Sequence, residues 1–190
     1  MENYKNPIES KILFLKQKLE KFGVDFSKWG TMSSKTIEQL QKEIDKNEIS
    51  LEEENGEIFR VFSLVAGDVY YVSPTGEKLK LREEKQIFND GRERRRVYNE
   101  AVNEKMVFGE SPQKAMLRGI KEELGIDDDL ILSEINNEEN VNESQSYPGI
   151  KSKKTIYKFE IFLNDKQFKK EGYVEKQSDK NTYFIWDKVR

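Results

Sequence analysis

Residues 109–126 read GESPQKAMLRGIKEELGI. Ser111 is a good helix N-cap, Pro112 suits the first helical position, and Gly125 is a good C-terminal stop, so the stretch predicts a helix from about Pro112 to Leu124. At about 100° per residue, Met116, Leu117, Ile120 and Leu124 share one arc, the expected buried stripe. Glu122 and Glu123 fall off that arc, with only the small Ala115 and Gly119 beside them. Two adjacent carboxylates on a flattened face are what a hard cation and a phosphate chain need. An EEL ending and an Arg118–Glu122 i,i+4 pair are also ordinary on a solvated helix, and the two acids alone favour that plainer reading.

Outward from this helix the pattern is β on both sides. FRVFSLVAGDVYYVS, from Phe59, and KLKL read as strands joined near a Pro74–Gly76 turn, because Val, Tyr and Phe replace the Glu/Lys/Leu mixture of a helix. A turn is expected at Asn89–Gly91, with a further candidate strand around Arg95–Asn99. After the helix, TIYKFEIFL and NTYFIWDKV read as strands, whereas the acidic, Asn-rich stretch Glu134–Ser146 reads as a solvent loop. Upstream lies a helical hairpin. Asn6 caps the first helix with Glu9 at capping-box spacing, Pro7 fits its first turn, and Gly23 stops it. Ile8, Ile12, Leu15, Leu19 and Phe22 line one face. Ser33 or Ser34 is expected to start a second helix, with Ile37, Leu40 and Ile44 inward. The chain therefore reads as α+β: residues 1–50 a helical extension, residues 55–190 a layered domain with a mixed sheet.

Composition narrows the chemistry. The chain has 190 residues, 35% hydrophobic and 36% charged, with 11 Phe, 8 Tyr and 2 Trp to build a core. With Lys+Arg 33 against Asp+Glu 36, the net charge of −3 argues against a general nucleic-acid coat. Neither Cys nor His is present, which removes thiolate nucleophiles, imidazole bases and the usual zinc sites. A metal here has to bind oxygen, and proton transfer near neutrality falls to Glu, Asp, Lys, Tyr or metal-activated water. No apolar run approaches a membrane span, and the start lacks the order of a signal peptide, so a soluble cytoplasmic protein is expected.

The stretch Glu104–Ile126 resembles the signature of the Nudix family, whose box reads G-x5-E-x7-R-E-U-x-E-E-x-G-U, with U a bulky aliphatic. Glu110 falls on the first Glu, Arg118 on the Arg, Ile120 on the aliphatic, Glu122 and Glu123 on the acidic pair, and Gly125–Ile126 on the closing pair. The resemblance implies a Nudix-like α/β/α sandwich over Phe59–Arg190. It also implies Mg²⁺ or Mn²⁺ held by Glu122 and Glu123 as catalytic residues, with Glu110, Arg118 and Gly125 in structural support. Two positions depart from the box: Glu104 stands at its leading Gly, and Gly119 at the Glu after the Arg. One acid is thus lost and one gained, which motivates Glu104 as a third metal ligand; a solvent-facing Glu104 is the plainer alternative.

Arg92, Arg94, Arg95 and Arg96 concentrate guanidinium groups upstream of the box. With strand alternation, Arg94 and Arg96 share a face that Arg92 can join, making these three the candidate phosphate contacts; a charged edge strand is the alternative. In Ser146–Ile150, a Tyr-Pro-Gly turn resembles the pocket loop of family members acting on ADP-ribose and nucleotide sugars. Tyr147 is accordingly a candidate base-stacking residue, or else a core aromatic. Glu175 is a candidate late carboxylate. The resulting expectation is a hydrolase of the pyrophosphate linkage in a nucleoside diphosphate derivative. It has a nucleotide-type small-molecule partner, and a homodimer is in keeping with the family. The alternatives are a Nudix-fold protein that binds a nucleotide or a protein without cleaving it, favoured by Gly119, and an adaptor working through the N-terminal hairpin.

Overall fold

The computed structural model describes residues 7–31, 34–95, 100–127 and 130–189. In chain order the elements are α1 (Pro7–Glu20), a 3₁₀ turn (Phe26–Lys28), α2 (Ile37–Asp45), β1 (Ser50–Glu54), β2 (Glu57–Val72) and β3 (Lys78–Phe88). They continue with β4 (Glu93–Arg94), β5 (Val102–Lys105), α3 (Pro112–Leu124), β6 (Ile131–Glu143), β7 (Lys151–Leu163), β8 (Tyr173–Lys176) and β9 (Lys180–Lys188). The sheet runs β6-β7-β2-β3-β9-β8, with β1 and β5 on β2 and β4 on β3. The fold is α+β, as the sequence predicts. No helix among the described residues is long and apolar enough to cross a membrane.

The chain divides into two compact units. The first comprises residues 1–63, 107–109 and 139–155. Its core is built on Leu15, Leu19, Leu40, Ile49, Phe62 and Tyr147, all buried. The α1 face is narrower than its periodicity suggests: Leu15 and Leu19 are buried, but Ile8 is exposed. Asn6, the expected cap, lies outside the described residues. The second helix starts later than expected. Thr36 is its N-cap and forms a capping box with Gln39, a reciprocal pairing that a serine without a Glu or Gln three residues on cannot make. Ser34 instead donates to Lys28 O and accepts from Thr31 N. Asn55 and Gly56, with φ of 53° and 80°, turn β1 back onto β2, pairing Glu54 with Glu57 and Ser50 with Val61. Both central residues need positive φ, which an Asn-Gly pair supplies. Trp29 Nε1 donates to Pro148 O at 2.9 Å and Lys35 N to Ser146 O at 2.8 Å.

The second unit comprises residues 64–106, 110–138 and 156–190. Its core includes Val65, Leu81, Met116, Ile120, Phe159 and Phe184. Each such side chain contributes about 1.5–3 kcal/mol by leaving water. The Pro74–Gly76 turn is where the sequence places it, with Gly76 N donating to Ser73 O. β3 runs well past the predicted KLKL. The turn at Asn89–Gly91 leads into β4, and residues 96–99 of the expected Arg95–Asn99 strand lie outside the described residues. Glu134–Ser146 is not a loop: most of it belongs to β6, whose side chains are almost all exposed. Its apolar alternation is weak because most of its side chains are exposed, although Leu132 packs against the core of this unit, and ladder hydrogen bonds carry the strand.

Candidate functional site

α3 spans Pro112–Leu124 with Ser111 as N-cap and Gly125 as left-handed C-cap. Its buried residues are Ala115, Met116, Gly119, Ile120 and Leu124, while Leu117 is 41% exposed. The buried arc is therefore rotated from the expected one, toward the small residues. The cause is β5: a Cβ on Gly119 would sit 3.0 Å from Val102 Cγ1, 3.1 Å from Glu104 Cβ and 3.6 Å from Glu104 Cγ. Gly119 has no room for a side chain because the strand lies over it, and the face it shares with the buried Ala115 is not an open platform.

This rotation separates the two neighbouring acids. Glu122 points outward, its side chain 56% exposed. Glu123 turns inward, and Asn103 N donates to its Oε1 at 3.3 Å. It lines a cavity of about 320 Å³ shared with Glu83, Glu100, Glu104, Glu122 and Glu175, with Lys180 on the wall. Burial, then Glu175, with smaller contributions from Glu104 and Glu83, push the Glu123 carboxyl up to about 9 against the lowering effect of the Asn103 N–H.

Arg118 organises the flank. Its Nε and Nη2 grip the two oxygens of Glu110 at 3.1 and 3.0 Å, Nη2 also donates to Lys105 O at 2.8 Å, and Nη1 donates to Glu104 Oε1 at 2.9 Å. Glu122 Oε2 lies 3.7 Å from Nη1. Arg118 is held in the charged form above its ordinary range, first by Glu110 and then by Glu104. One guanidinium thus ties the loop before α3, strand β5 and the helix together. Glu104 is partly exposed, anchored by Arg118, with its Cβ and Cγ beside Gly119.

β3 brings two further groups. Its pairing with β9 matches Glu83 to Phe184 and Lys85 to Tyr183, so Glu84 is an extra residue. That bulge shifts the alternation and puts both Glu83 and Gln86, three apart, on the buried side against the cavity. Gln86 donates to Glu83 Oε2 at 3.2 Å and accepts from Arg94 Nε at 3.0 Å. Arg94 therefore stands behind the cavity wall rather than in it. Arg92 is 74% exposed and paired with Asp90 at 2.7 Å, and the structure does not bring it to the cavity. Arg96 lies outside the described residues. Tyr147 belongs to the other unit and is fully buried, its ring 5.1 Å from that of Trp29. With no exposed face, it has nowhere to stack a base, and it is a core aromatic.

Glu83, Gln86, Glu100, Lys180 and Thr182 were not among the sequence candidates. Only the Asn89–Gly91 turn hints that β3 and its neighbours fold back; nothing local marks Glu83 as different from Glu84.

The donor set can be tested against a divalent cation. Among the described residues no three acidic side chains already converge as a metal cluster. Six of the side chains lining the cavity are nevertheless carboxylates, the donors a hard cation prefers. Glu123 is raised partly by its acidic neighbours, an excess of negative charge that a dication relieves. The residues fit Mg²⁺ or Mn²⁺.

No protein-family model matches the chain, nor does any curated protein. Among solved structures it is similar to an Ap4A hydrolase of C. elegans, with 15% identity, covering 67% of this chain and 80% of that one at a TM-score of 0.39. It is similar to a MutT/nudix family protein from Enterococcus faecalis, with 12% identity, 98% and 57% coverage and a TM-score of 0.47. A third is the dihydroneopterin triphosphate pyrophosphohydrolase of E. coli, with 18% identity, 65% and 78% coverage and a TM-score of 0.41. At such values, what this chain does has to be argued from its own residues.

Proposed function

We propose that this protein is a divalent-metal-dependent hydrolase acting on the pyrophosphate linkage of a nucleoside diphosphate derivative. The observation that carries the reading is that Glu104 from β5, Glu122 and Glu123 from α3 and Glu175 from β8 all line one cavity. It is supported by the resemblance of residues 104–126 to the Nudix box. Glu123, Glu122 and Glu104 are the residues that would hold Mg²⁺ or Mn²⁺, which when bound supplies charge neutralisation and polarisation of a phosphoryl oxygen.

The chain's own groups do the rest. Glu123, oriented by the Asn103 N–H, has its carboxyl pushed up to about 9 by burial and its acidic neighbours, so holding a cation would require it to give up that proton. Arg118 holds Glu104 in place by a charge-assisted hydrogen bond. Lys180, on a wall otherwise dominated by acids, is the cation that would meet the phosphate chain. Arg94 braces Gln86 from behind. Arg92 and Arg96 are not needed for this reading.

A second reading, ligand binding without cleavage, is favoured by one observation: Gly119 carries no acid, and the nearest substitute, Glu104, is already engaged by Arg118.

The deciding experiment titrates the protein with Mg²⁺ or Mn²⁺ near pH 7.5 in weak buffer. It then offers ADP-ribose, dinucleoside polyphosphates and nucleoside triphosphates. Proton release on metal addition, lost in Glu123→Gln, together with turnover lost in the same variant, is the expected result. Proton release and ligand-induced stabilisation without turnover select the second reading. Neither proton release nor ligand stabilisation refutes both.

A further inference from the structure

Arg60 lies in the first unit, on β2, and is 7% exposed. A guanidinium has five N–H groups, yet that of Arg60 makes no side-chain hydrogen bond within the described residues, and its buried Nε has no partner. Its charge is met only at a distance. Glu43 Oε2 lies 3.8 Å from Nη1, and the other Glu43 oxygen is taken by Lys35 at 2.5 Å. The guanidinium also lies over the Phe62 and Tyr147 rings, at 4.5 and 5.1 Å. Burial holds Arg60 below its ordinary range against the opposing pull of Glu43. A buried guanidinium left in this state costs free energy until an acceptor reaches it.

The groups around it favour an anion as that acceptor. Ser152, 2% exposed, has a hydroxyl with no hydrogen-bond partner. It lines the same cavity as Arg60, and so does Lys154, half-buried and without an ion pair among the described residues. The other β7 lysines of this unit are occupied, Lys151 by Glu57 and Lys153 by Glu54. Arg60 and Phe62 on β2, and Ser152 and Lys154 on β7, are each two residues apart, so each pair projects to one side of the sheet. The β6–β7 connection closes the rim with Ser144, Gln145 and Ser146. Ser144 Oγ accepts from Tyr147 N, which leaves its proton to donate elsewhere. The acid on the lining, Glu143, is exposed at the mouth. The cavity measures about 520 Å³, far more than a single water needs and within the range of small-ligand pockets.

We propose that this cavity binds a tetrahedral oxyanion, the phosphate head of a small phosphorylated molecule. Arg60, Ser152 and Lys154 donate to its oxygens. A planar carboxylate presents acceptors in one plane and does not satisfy donors arriving from two strands and the rim. This site is separate from the acidic cavity of the second unit and does not depend on the function proposed for that cavity.

The test is calorimetric titration of the full chain with inorganic phosphate and with a phosphate monoester, in EDTA so that no metal draws phosphate to the acidic cavity. Acetate serves as the planar comparison. Saturable phosphate binding is expected, weakened about tenfold or more in Lys154→Gln and several-fold in Ser152→Ala, the range for losing a hydrogen bond to a charged group. Glu123→Gln should bind phosphate as the unaltered protein does. Lys154 is partly exposed, so its variant is expected to fold, and a thermal melt checks this. No saturable binding at millimolar phosphate overturns the proposal, as does binding insensitive to both substitutions or equal for acetate. Solvation of Arg60 by water alone would appear as the first of these.

Discussion

Placing a side chain at Gly119 tests the packing of α3 against β5. In a helix interior, Gly→Ala ordinarily stabilises by about 1 kcal/mol. Here the new Cβ would lie 3.0 Å from Val102 Cγ1 and 3.1 Å from Glu104 Cβ, and Val102 is fully buried. Overpacking of this kind costs about 1–3 kcal/mol, so Gly119→Ala is expected to lose about 1 kcal/mol net rather than gain it. Gly119→Glu should lose more, because its longer side chain starts from the same crowded point. An acid reinstated there alone does not complete the cavity. Glu104→Gly removes one of the two obstructing neighbours, and combining it with Gly119→Glu should recover part of the loss. Urea unfolding of the four proteins gives a double-mutant cycle, with an expected favourable coupling of about 1–2 kcal/mol. The cycle also cancels the common effect of taking Glu104 from Arg118. Under the proposed function, Glu104→Gly alone weakens Mg²⁺ binding about tenfold, and the exchanged pair restores most of it. A stabilised Gly119→Ala together with an additive cycle, within about 0.5 kcal/mol, would refute the close approach.

Three other outcomes follow from particular contacts. Glu123 has a folded-state pKa above its unfolded one, so without metal the folded state retains a proton that the unfolded state loses as pH rises from about 4.5 to about 9. Stability should therefore fall across that window. With no His in the chain to titrate there, a thermal midpoint that declines from pH 5 to pH 8 in the unaltered protein and flattens in Glu123→Gln checks the point. Gly172→Ala would set a Cβ 1.9 Å from the Phe184 carbonyl oxygen at a φ of 82°; a loss above about 2 kcal/mol is expected by urea unfolding. Thr36→Ala removes the capping-box acceptor of α2 and should cost about 1 kcal/mol in the same assay.

The legible parts of the chain were those whose structure is local. α3 could be read to its ends because Ser111, Pro112 and Gly125 each act on the adjoining backbone. Its orientation could not, because the choice between burying Leu117 and burying Gly119 is made by β5. β1 and β6 were missed for a related reason: SLEEE and the Asn-rich stretch pair as strands with little apolar alternation to announce them. The Asn55–Gly56 dipeptide was a readable sign of the first. At the acidic cavity, Glu122 and Glu123 are visible as an adjacent pair on α3, whereas Glu104 and Glu175 come only with the resemblance to the Nudix box and its family. Glu83 and Gln86 depend on a bulge created by pairing with β9, about a hundred residues downstream, and no local pattern encodes that. Tyr147 failed as a stacking residue because an aromatic beside Pro-Gly reads the same whether its ring is covered or bare.

The hydrogen bonds from Trp29 to Pro148 and from Lys35 to Ser146 bear on how the chain is made. During synthesis, the first helices leave the ribosome while their later partners are still untranslated. At ordinary elongation rates that delay is roughly ten seconds. Through it, Trp29 and Lys35 go without these acceptors, so the completion of the first unit waits on residues 146–148.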